Sequence, residues 1–488
     1  MKNTFLAIDL GTTVGRAILG ELNDGILSLQ EIHRFANEPI LVEDHKYWNI
    51  ELIFKEIKKS LTVVADQNIL AESIGITAWG IDFSLMGNDG IPLRPSYSVN
   101  VKTKNSIEGF AQRIMEDKIY GQTGVPVSHV TSLFQLSALK LTESEMIKKA
   151  KHLLFMPDIF NYLLTGILNT EFSIATTSQL YNPVKKMWDH DIFKALGIPV
   201  SIMSRLAEPG SVIGSVTNNV SYETGIARIP VVAVASNASA SALAVIPAIG
   251  NNWVYISIDE MNLVGFEAAR PIINKKSQQL NFTNQGGAGH SFNIQKNLTG
   301  LKLLEECMKS WKENKYTMAD LVLLAGESKP FTAFIDTDHA SFELAEDVSA
   351  AITDYFKLTG QDAPQLHGEI IRTILEGLTF KFRTVISQIV DLRGVEPDAI
   401  YITGEGIATK LLCQFTSDCC GIPVITSVYE AVIAGNILVQ ALALGIVKNE
   451  AEIREISSRS FQSKTFEPEN SEVWNEAYDR YLQIAGTM

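Results

Sequence analysis

Residues 9–16 read DLGTTVGR, and this stretch sets the reading of the chain. An apolar run from Phe5 to Ile8 leads in and a second, Ala17 to Leu19, leads out. Between them lie Gly11, Thr12, Thr13, Val14, Gly15 and Arg16. Apolar run, small-residue turn and apolar run predict strand, tight turn and strand. Backbone N–H groups and two hydroxyls then gather at the tip, where such a turn cradles phosphate.

The bulk properties limit the function classes. A chain of 488 residues, at ~100–200 residues per domain, predicts two or three domains with sizeable cores. A net charge of −14 opposes non-specific nucleic-acid binding, because a phosphate backbone is repelled; it serves solubility. No run reaches the ~18 apolar residues of a membrane span, and Asp9 interrupts the only apolar stretch near the N-terminus. These features predict a cytoplasmic protein without a membrane partner. The four cysteines, Cys307, Cys413, Cys419 and Cys420, form no CxxC pair, so core packing in a reducing compartment is expected rather than a metal site.

Short β-rich runs alternate with helical stretches along the chain, which predicts an α/β architecture. The strands include residues 72–86, ESIGITAWGIDFSLM. Residues 152–166, HLLFMPDIFNYLLTG, are expected to form a helix capped at Gly166. Residues 369–390 form the clearest helix, with Ile371, Leu375, Leu378, Phe382 and Ile389 on one apolar face. The strand-turn-strand rhythm recurs in residues 253–270, WVYISIDEMNLVGFEAAR. We therefore expect two lobes, 1–246 and 247–488, with a ligand cleft between them.

Several segments resemble the FGGY family of carbohydrate kinases, nearest its rhamnulokinase branch. They are DLGTTVGR, GITAWGIDF, FMPDIFNYLLTG, ATTSQL, NFTNQGG, QKNLTGLKLLEE, ITGEG and YEAVIAGN, in the family's order along almost the whole chain. The resemblance implies two ribonuclease-H-like lobes of the actin and hexokinase type. It also implies transfer of the γ-phosphoryl of ATP to a hydroxyl of a ketose such as rhamnulose, with ATP and Mg²⁺ as cofactors and a sugar as partner. That chemistry needs a carboxylate to take the hydroxyl proton, a cation, and donor-rich loops around the phosphates. By the same resemblance Thr12, Thr13, Val14, Gly15, Arg16, Glu260, Glu305, Gly404 and Glu405 fall on the nucleotide side. Gly80, Asn237, Ala238, Ser239 and Asn297 fall on the sugar side, and Asp9 is the candidate Mg²⁺ ligand.

Against the family pattern, several functional positions are altered. The base-bearing segment reads SNASASA at 236–242, with Ala238 at the aspartate position and Asn237 beside it. The second phosphate loop reads SIDEM at 257–261, so Asp259 and Glu260 replace a Gly-Thr pair. Glu305 replaces a nucleotide-side glutamine, Lys302 a tryptophan and Glu405 the middle of three glycines. Thr77 stands at the first aspartate of the sugar segment, Thr409 replaces an asparagine, and Ser98, Val99 and Asn100 replace a Tyr-Arg-Asp triplet. A carboxylate near a phosphate charge repels it by ~3 kcal/mol at an effective dielectric of ~20 and ~5 Å.

Three readings follow. The chain is a pseudokinase with no intact catalytic base, weak or absent ATP binding, and a role in sensing a sugar or metabolite or in pairing with an active kinase; a homodimer is also open. Alternatively it is a working ketose kinase in which Asp259 or Glu260 serves as base or cation ligand. In the third, Asp259, Glu260, Glu305 and Glu405 hold a divalent cation or an amine where a nucleotide would sit.

Overall fold

The computed structural model describes every residue except 1, 43–44, 94–95, 98–109, 111–112, 259–261, 300, 312–315, 344, 346, 405–408 and 486–488. The expected positions Ser98, Val99, Asn100, Asp259, Glu260 and Glu405 lie outside the described residues. The chain forms two compact units that interleave in sequence. The first comprises Met1–Pro247, Glu267–Ile294 and Glu430–Phe461, and the second comprises Ala248–Phe266, Gln295–Tyr429 and Gln462–Met488.

The first unit is built on a six-stranded sheet. In spatial order its strands are Ser211–Ser215, Pro230–Ala233, Ile74–Ala78, Lys2–Leu10, Val14–Asn23 and Ile26–Ala36. Strands Lys2–Leu10 and Val14–Asn23 form the antiparallel hairpin that DLGTTVGR predicts, with Asp9 opposite Arg16. Strands Lys2–Leu10, Ile74–Ala78 and Pro230–Ala233 run parallel. Such strands are buried on both faces, and Phe5, Leu6, Ala7 and Ile8 are all fully buried. Helix Ile50–Asp66 covers one face with Ile50, Ile53, Ile57, Leu61 and Val64, an i, i+3, i+4 stripe. The Asn49 side chain starts it by accepting the Leu52 N–H at 3.0 Å.

The other cover comes from far along the chain. Helix Ala431–Ala443 packs on strands Lys2–Leu10 and Ile74–Ala78. Its Gln440 donates to Leu6 O (3.1 Å) and accepts from the Ser73 hydroxyl (2.7 Å), so buried polar groups of the sheet are satisfied. The helix sits close because Gly75 has no side chain. A Cβ there would lie 2.5 Å from Asn436 Oδ1 and 2.6 Å from Val234 Cγ1. Gly75→Ala is therefore expected to lower the unfolding free energy by roughly 1–3 kcal/mol, read as a lower urea midpoint at unchanged slope.

Two element expectations change. Residues His152–Phe155 are a strand, antiparallel to Phe83–Met86, and only Met156–Thr165 is helical. Pro157 fits the first helical turn, and Gly166 caps the end with φ 73° as expected. The run 72–86 is two strands, Ile74–Ala78 and Phe83–Met86, separated by the turn 79–82. That turn places Ile81 at φ 68°, an unusual conformation for a β-branched residue.

In the second unit, strand Trp253–Ile258 pairs antiparallel with Asn262–Ala268 and parallel with Ala399–Gly404. It repeats the hairpin-plus-parallel-strand pattern that the sequence echo suggests. Strands Val424–Thr426 and Thr465–Phe466 extend this sheet. Helix His367–Arg393 buries the whole predicted stripe, Ile371, Leu375, Leu378, Phe382 and Ile389. Cys307, Cys413 and Cys419 are buried, Cys420 is half-buried, and all four are free thiols.

Candidate functional site

The first cluster forms where the hairpin tip meets the end of strand Ile74–Ala78. Gly11 N–H donates to Val14 O at 2.9 Å. Asn37 clamps the turn by donating its side chain to Gly11 O (2.5 Å) and its N–H to Thr13 O (2.8 Å). Gly15 opens the return strand under the Phe35 ring, where a Cβ would fall 2.2 Å from Cζ. Arg16 bridges two carboxylates, Asp9 Oδ2 and Glu430 Oε1, each at 3.0 Å. Thr77 donates its hydroxyl to Asp9 Oδ1 at 2.9 Å. Burial pushes the Asp9 carboxyl above the usual carboxylate range, against the pull of Arg16 and Thr77. Each Asp9 oxygen thus has one partner in this arrangement, and a Mg²⁺ ion at Asp9 would share the carboxylate with Arg16 and Thr77.

The second cluster gathers the predicted sugar-side residues of this unit. Ala78 bridges to Asn237, so the end of strand Ile74–Ala78 meets the loop that follows strand Pro230–Ala233. Gly80 faces this loop: a Cβ there would lie 2.9 Å from Thr177 Oγ1 and 3.4 Å from Asn237 Nδ2. The structure therefore brings Gly80, Asn237, Ala238 and Ser239 together at the carboxyl ends of parallel strands, where open α/β sheets bind ligands. Asn237 caps helix Ala238–Ala244. Its Oδ1 accepts the Ser239 N–H (3.1 Å) and hydroxyl (2.7 Å). Ala238 is the first residue of that helix and is half-buried, with only a methyl group to offer.

A buried carboxylate holds this loop from behind. Glu171 accepts the Ser236 N–H (3.2 Å) and the Ser173 hydroxyl (2.5 Å), and Ser173 Oγ accepts the Asn237 N–H (3.0 Å). The Ser173 and Ile174 N–H groups complete its shell. Burial pushes Glu171 up to about 7 despite these donors. Asp158, fully buried with an oxygen on the Glu171 N–H, lies well above its ordinary value through burial and the nearby Glu171 charge.

Sequence reasoning quoted Asp82 and Glu430 only as parts of motifs and gave them no role. Asp82 is fully buried and accepts three neutral donors: Trp48 Nε1 at 2.8 Å, Trp79 Nε1 at 3.0 Å and Gln135 Nε2 at 3.2 Å. The two indoles pack at a 42° tilt with centroids 4.1 Å apart, and Trp79 immediately precedes Gly80. Burial pushes Asp82 up to about 6, against its three hydrogen bonds. Ser132 donates to Ile81 O at 2.6 Å and pins the left-handed residue. Backbone strain of this kind clusters at functional sites.

Asp82 and Glu171 share a consequence for stability. Each binds its proton more tightly folded than unfolded, so each favours the folded state more as pH falls from about 7 toward 4. The folded chain is therefore expected to unfold at higher urea concentration at pH 5.5 than at pH 7.5. Exposed carboxylates held low by lysine or arginine, such as Glu31 and Glu223, titrate below that window and leave it clear.

The remaining predicted residues belong to the second unit. Asn297 and Glu305 are both exposed, on strand Phe292–Leu298 and helix Lys302–Ser310. Gly404 ends strand Ala399–Gly404 at φ 83°, which suits a turn without a Cβ. Among the described residues no three His, Cys, Asp or Glu side chains are grouped to hold a metal ion. Among them, too, no helix is long and apolar enough to cross a membrane.

Comparison with known proteins bears on the fold and the family. The models for the N- and C-terminal domains of the FGGY family of carbohydrate kinases match residues 4–244 and 254–444. A rhamnulokinase of Bacteroides thetaiotaomicron is 38% identical over 482 residues, covering 98% of each chain. One from Ligilactobacillus salivarius is 32% identical over 466 residues, covering 95% of each. Among solved structures, a ligand-bound xylulose kinase from Lactobacillus acidophilus superposes with a TM-score of 0.84 at 17% identity, covering 99% of this chain and 98% of that one. A Plasmodium falciparum glycerol kinase with ADP gives 0.80 at 15% identity, covering 98% of each. These two show the mixed α/β two-domain fold. The family models and the near-full-length identity to rhamnulokinases go further, and by them the chain belongs to the FGGY family of carbohydrate kinases as a rhamnulokinase-like member.

Proposed function

We propose that this chain binds a ketose or related polyol in its first unit and transfers phosphoryl groups poorly or not at all. The supporting observation is Ala238. The family's base position opens helix Ala238–Ala244 with a methyl group, and its neighbour Asn237 spends its carbonyl on capping that helix. Loss of a positioned base costs ~10²–10⁴ in rate. Thr77 adds a second change, because a hydroxyl that hydrogen-bonds Asp9 stands where the family carries a carboxylate. The family implies ATP and Mg²⁺; when bound they would supply the phosphoryl group and charge neutralisation. In this chain Thr12, Thr13 and Arg16 would face the phosphates and Gly80 and Asn237 the sugar, in a cytoplasmic protein that senses a sugar or pairs with an active kinase.

The test is calorimetric titration with ketoses and with Mg·ATP, alongside a coupled ADP-release screen. Saturable ketose binding with ADP release no faster than the sugar-free background is expected. Ketose-dependent turnover at an ordinary kinase pace, ~1–100 s⁻¹, overturns this reading. A second reading, a working ketose kinase, draws on the identity to rhamnulokinases over 98% of the chain. Turnover abolished by Asp259→Asn or Glu260→Gln would select it.

A further inference from the structure

Away from the clusters above, the first unit holds a cavity of about 490 Å³, within the size range of small-molecule pockets. Its floor is aromatic. Phe172, Tyr181 and Phe292 are buried and meet edge to face, with centroids 6.1 Å apart for Phe172–Tyr181 and 5.6 Å for Phe172–Phe292. Its mouth is charged. Lys186 and Arg270 are exposed and make no ion pair among the described residues, while Glu208 lies 3.1 Å from His290 Nδ1. Tyr181, Lys186 and Glu208 also line an adjoining cavity of about 510 Å³.

Three features set these cavities apart from surface roughness. The Tyr181 hydroxyl has no hydrogen bond among the described residues although the residue is 2% exposed. Burial and the Glu208 charge push its phenol up to about 12, so it stays a neutral donor at physiological pH. Glu208 Oε2 is itself buried, with His290 Nδ1 3.1 Å away at the mouth. Lys186 and His290 hold left-handed backbone, φ 55° and 62°, which costs energy and persists where surrounding structure enforces it.

The chemistry of the lining selects a ligand class. Aromatic faces suit the C–H face of a sugar ring, and Glu208 and Tyr181 offer an acceptor and a donor to its hydroxyls. Two unpaired cations at the mouth suit a phosphate, and arginine gives it a bidentate grip. We propose that this cavity is a second small-molecule site, for a sugar monophosphate, distinct from the candidate sugar site at Gly80 and Asn237. It connects to that site through one short helix. Phe172 begins helix Phe172–Thr177, Ser173 of that helix holds the Asn237 N–H, and Thr177 lies against Gly80. A ligand resting on Phe172 therefore bears on the sugar loop.

The test is isothermal titration of the full chain with D-fructose 1-phosphate, with D-fructose and inorganic phosphate as separate probes. Saturable binding of the sugar phosphate with Kd below ~1 mM is expected. The double variant Lys186→Glu/Arg270→Glu should weaken it tenfold or more. No saturable binding up to about 10 mM, or unchanged affinity in the double variant, overturns the proposal. Loss of binding of D-fructose alone, or rapid ADP release, counts only against the function proposed above, so the two failures are distinguishable.

Discussion

Ala238→Asp is expected to raise ketose-dependent ADP release by ~10²–10⁴, the largest change foreseen for any single substitution here. Ala238 is half-buried at the start of its helix, so an aspartate enters without displacing core side chains. A carboxylate near a helix start is also electrostatically favoured, by ~0.3–1 kcal/mol at exposed sites, so stability should change little. The gain would come from returning a proton acceptor to the loop that Glu171 and Ser173 already hold in place. The measurement is initial rate under saturating ketose and Mg·ATP, parent against variant, with melting curves to confirm equal folding. If the parent already turns over rapidly and the variant changes the rate less than tenfold, the missing base is not what limits this chain.

Asp82→Asn should give the second largest effect, and an unusual pair of signs. The carboxylate is pushed up to about 6 by burial, from an ordinary value near 4, so keeping it ionised costs roughly 3 kcal/mol at neutral pH, at ~1.4 kcal/mol per pH unit between the two values. Asparagine removes that charge and can keep its oxygen on the two indoles, but it then sets an amide N–H against the Gln135 N–H, which returns ~1–3 kcal/mol of the gain. The variant should therefore unfold at the same or a higher urea concentration than the parent at pH 7.5. Near pH 4 the parent is protonated and no longer bears that cost, while the amide clash persists, so the variant should there be the less stable of the two. Ketose affinity should drop tenfold or more, since the indoles of Trp48 and Trp79 exchange a shared carboxylate for a weaker neutral acceptor beside Gly80. Stability maintained with binding lost identifies a charge kept for function. A variant that is less stable at pH 7.5 and binds ketose normally would show that Asp82 only holds the fold together.

The sequence made the local features readable and left the distant ones hidden. The hairpin at DLGTTVGR follows from two apolar runs around small residues, and helix His367–Arg393 follows from its stripe, because both depend on neighbours within one or two turns. The grouping of Gly80 with Asn237 followed from resemblance alone, since 157 positions separate them. Arg16 and Glu430 are 414 positions apart, and no periodicity links them. Asp82 looked like one more motif residue until Trp48 and Gln135 were placed against it. Strand His152–Phe155 reads as helix in the sequence because a short apolar run fits either element. Only its pairing with Phe83–Met86 decides.

Because residues Glu430–Phe461 complete the first unit, the order of synthesis bears on how the protein matures. A nascent chain that has reached Pro247 owns the six-stranded sheet but lacks the helix that seals it, with Ser73 and the Leu6 carbonyl awaiting Gln440. At ~5–20 residues per second, roughly 10–40 s of translation pass before Phe461 emerges. During that interval an apolar sheet face stays open at the ribosome, so holdase chaperones should associate with the growing polypeptide for longer than with one whose first unit is contiguous.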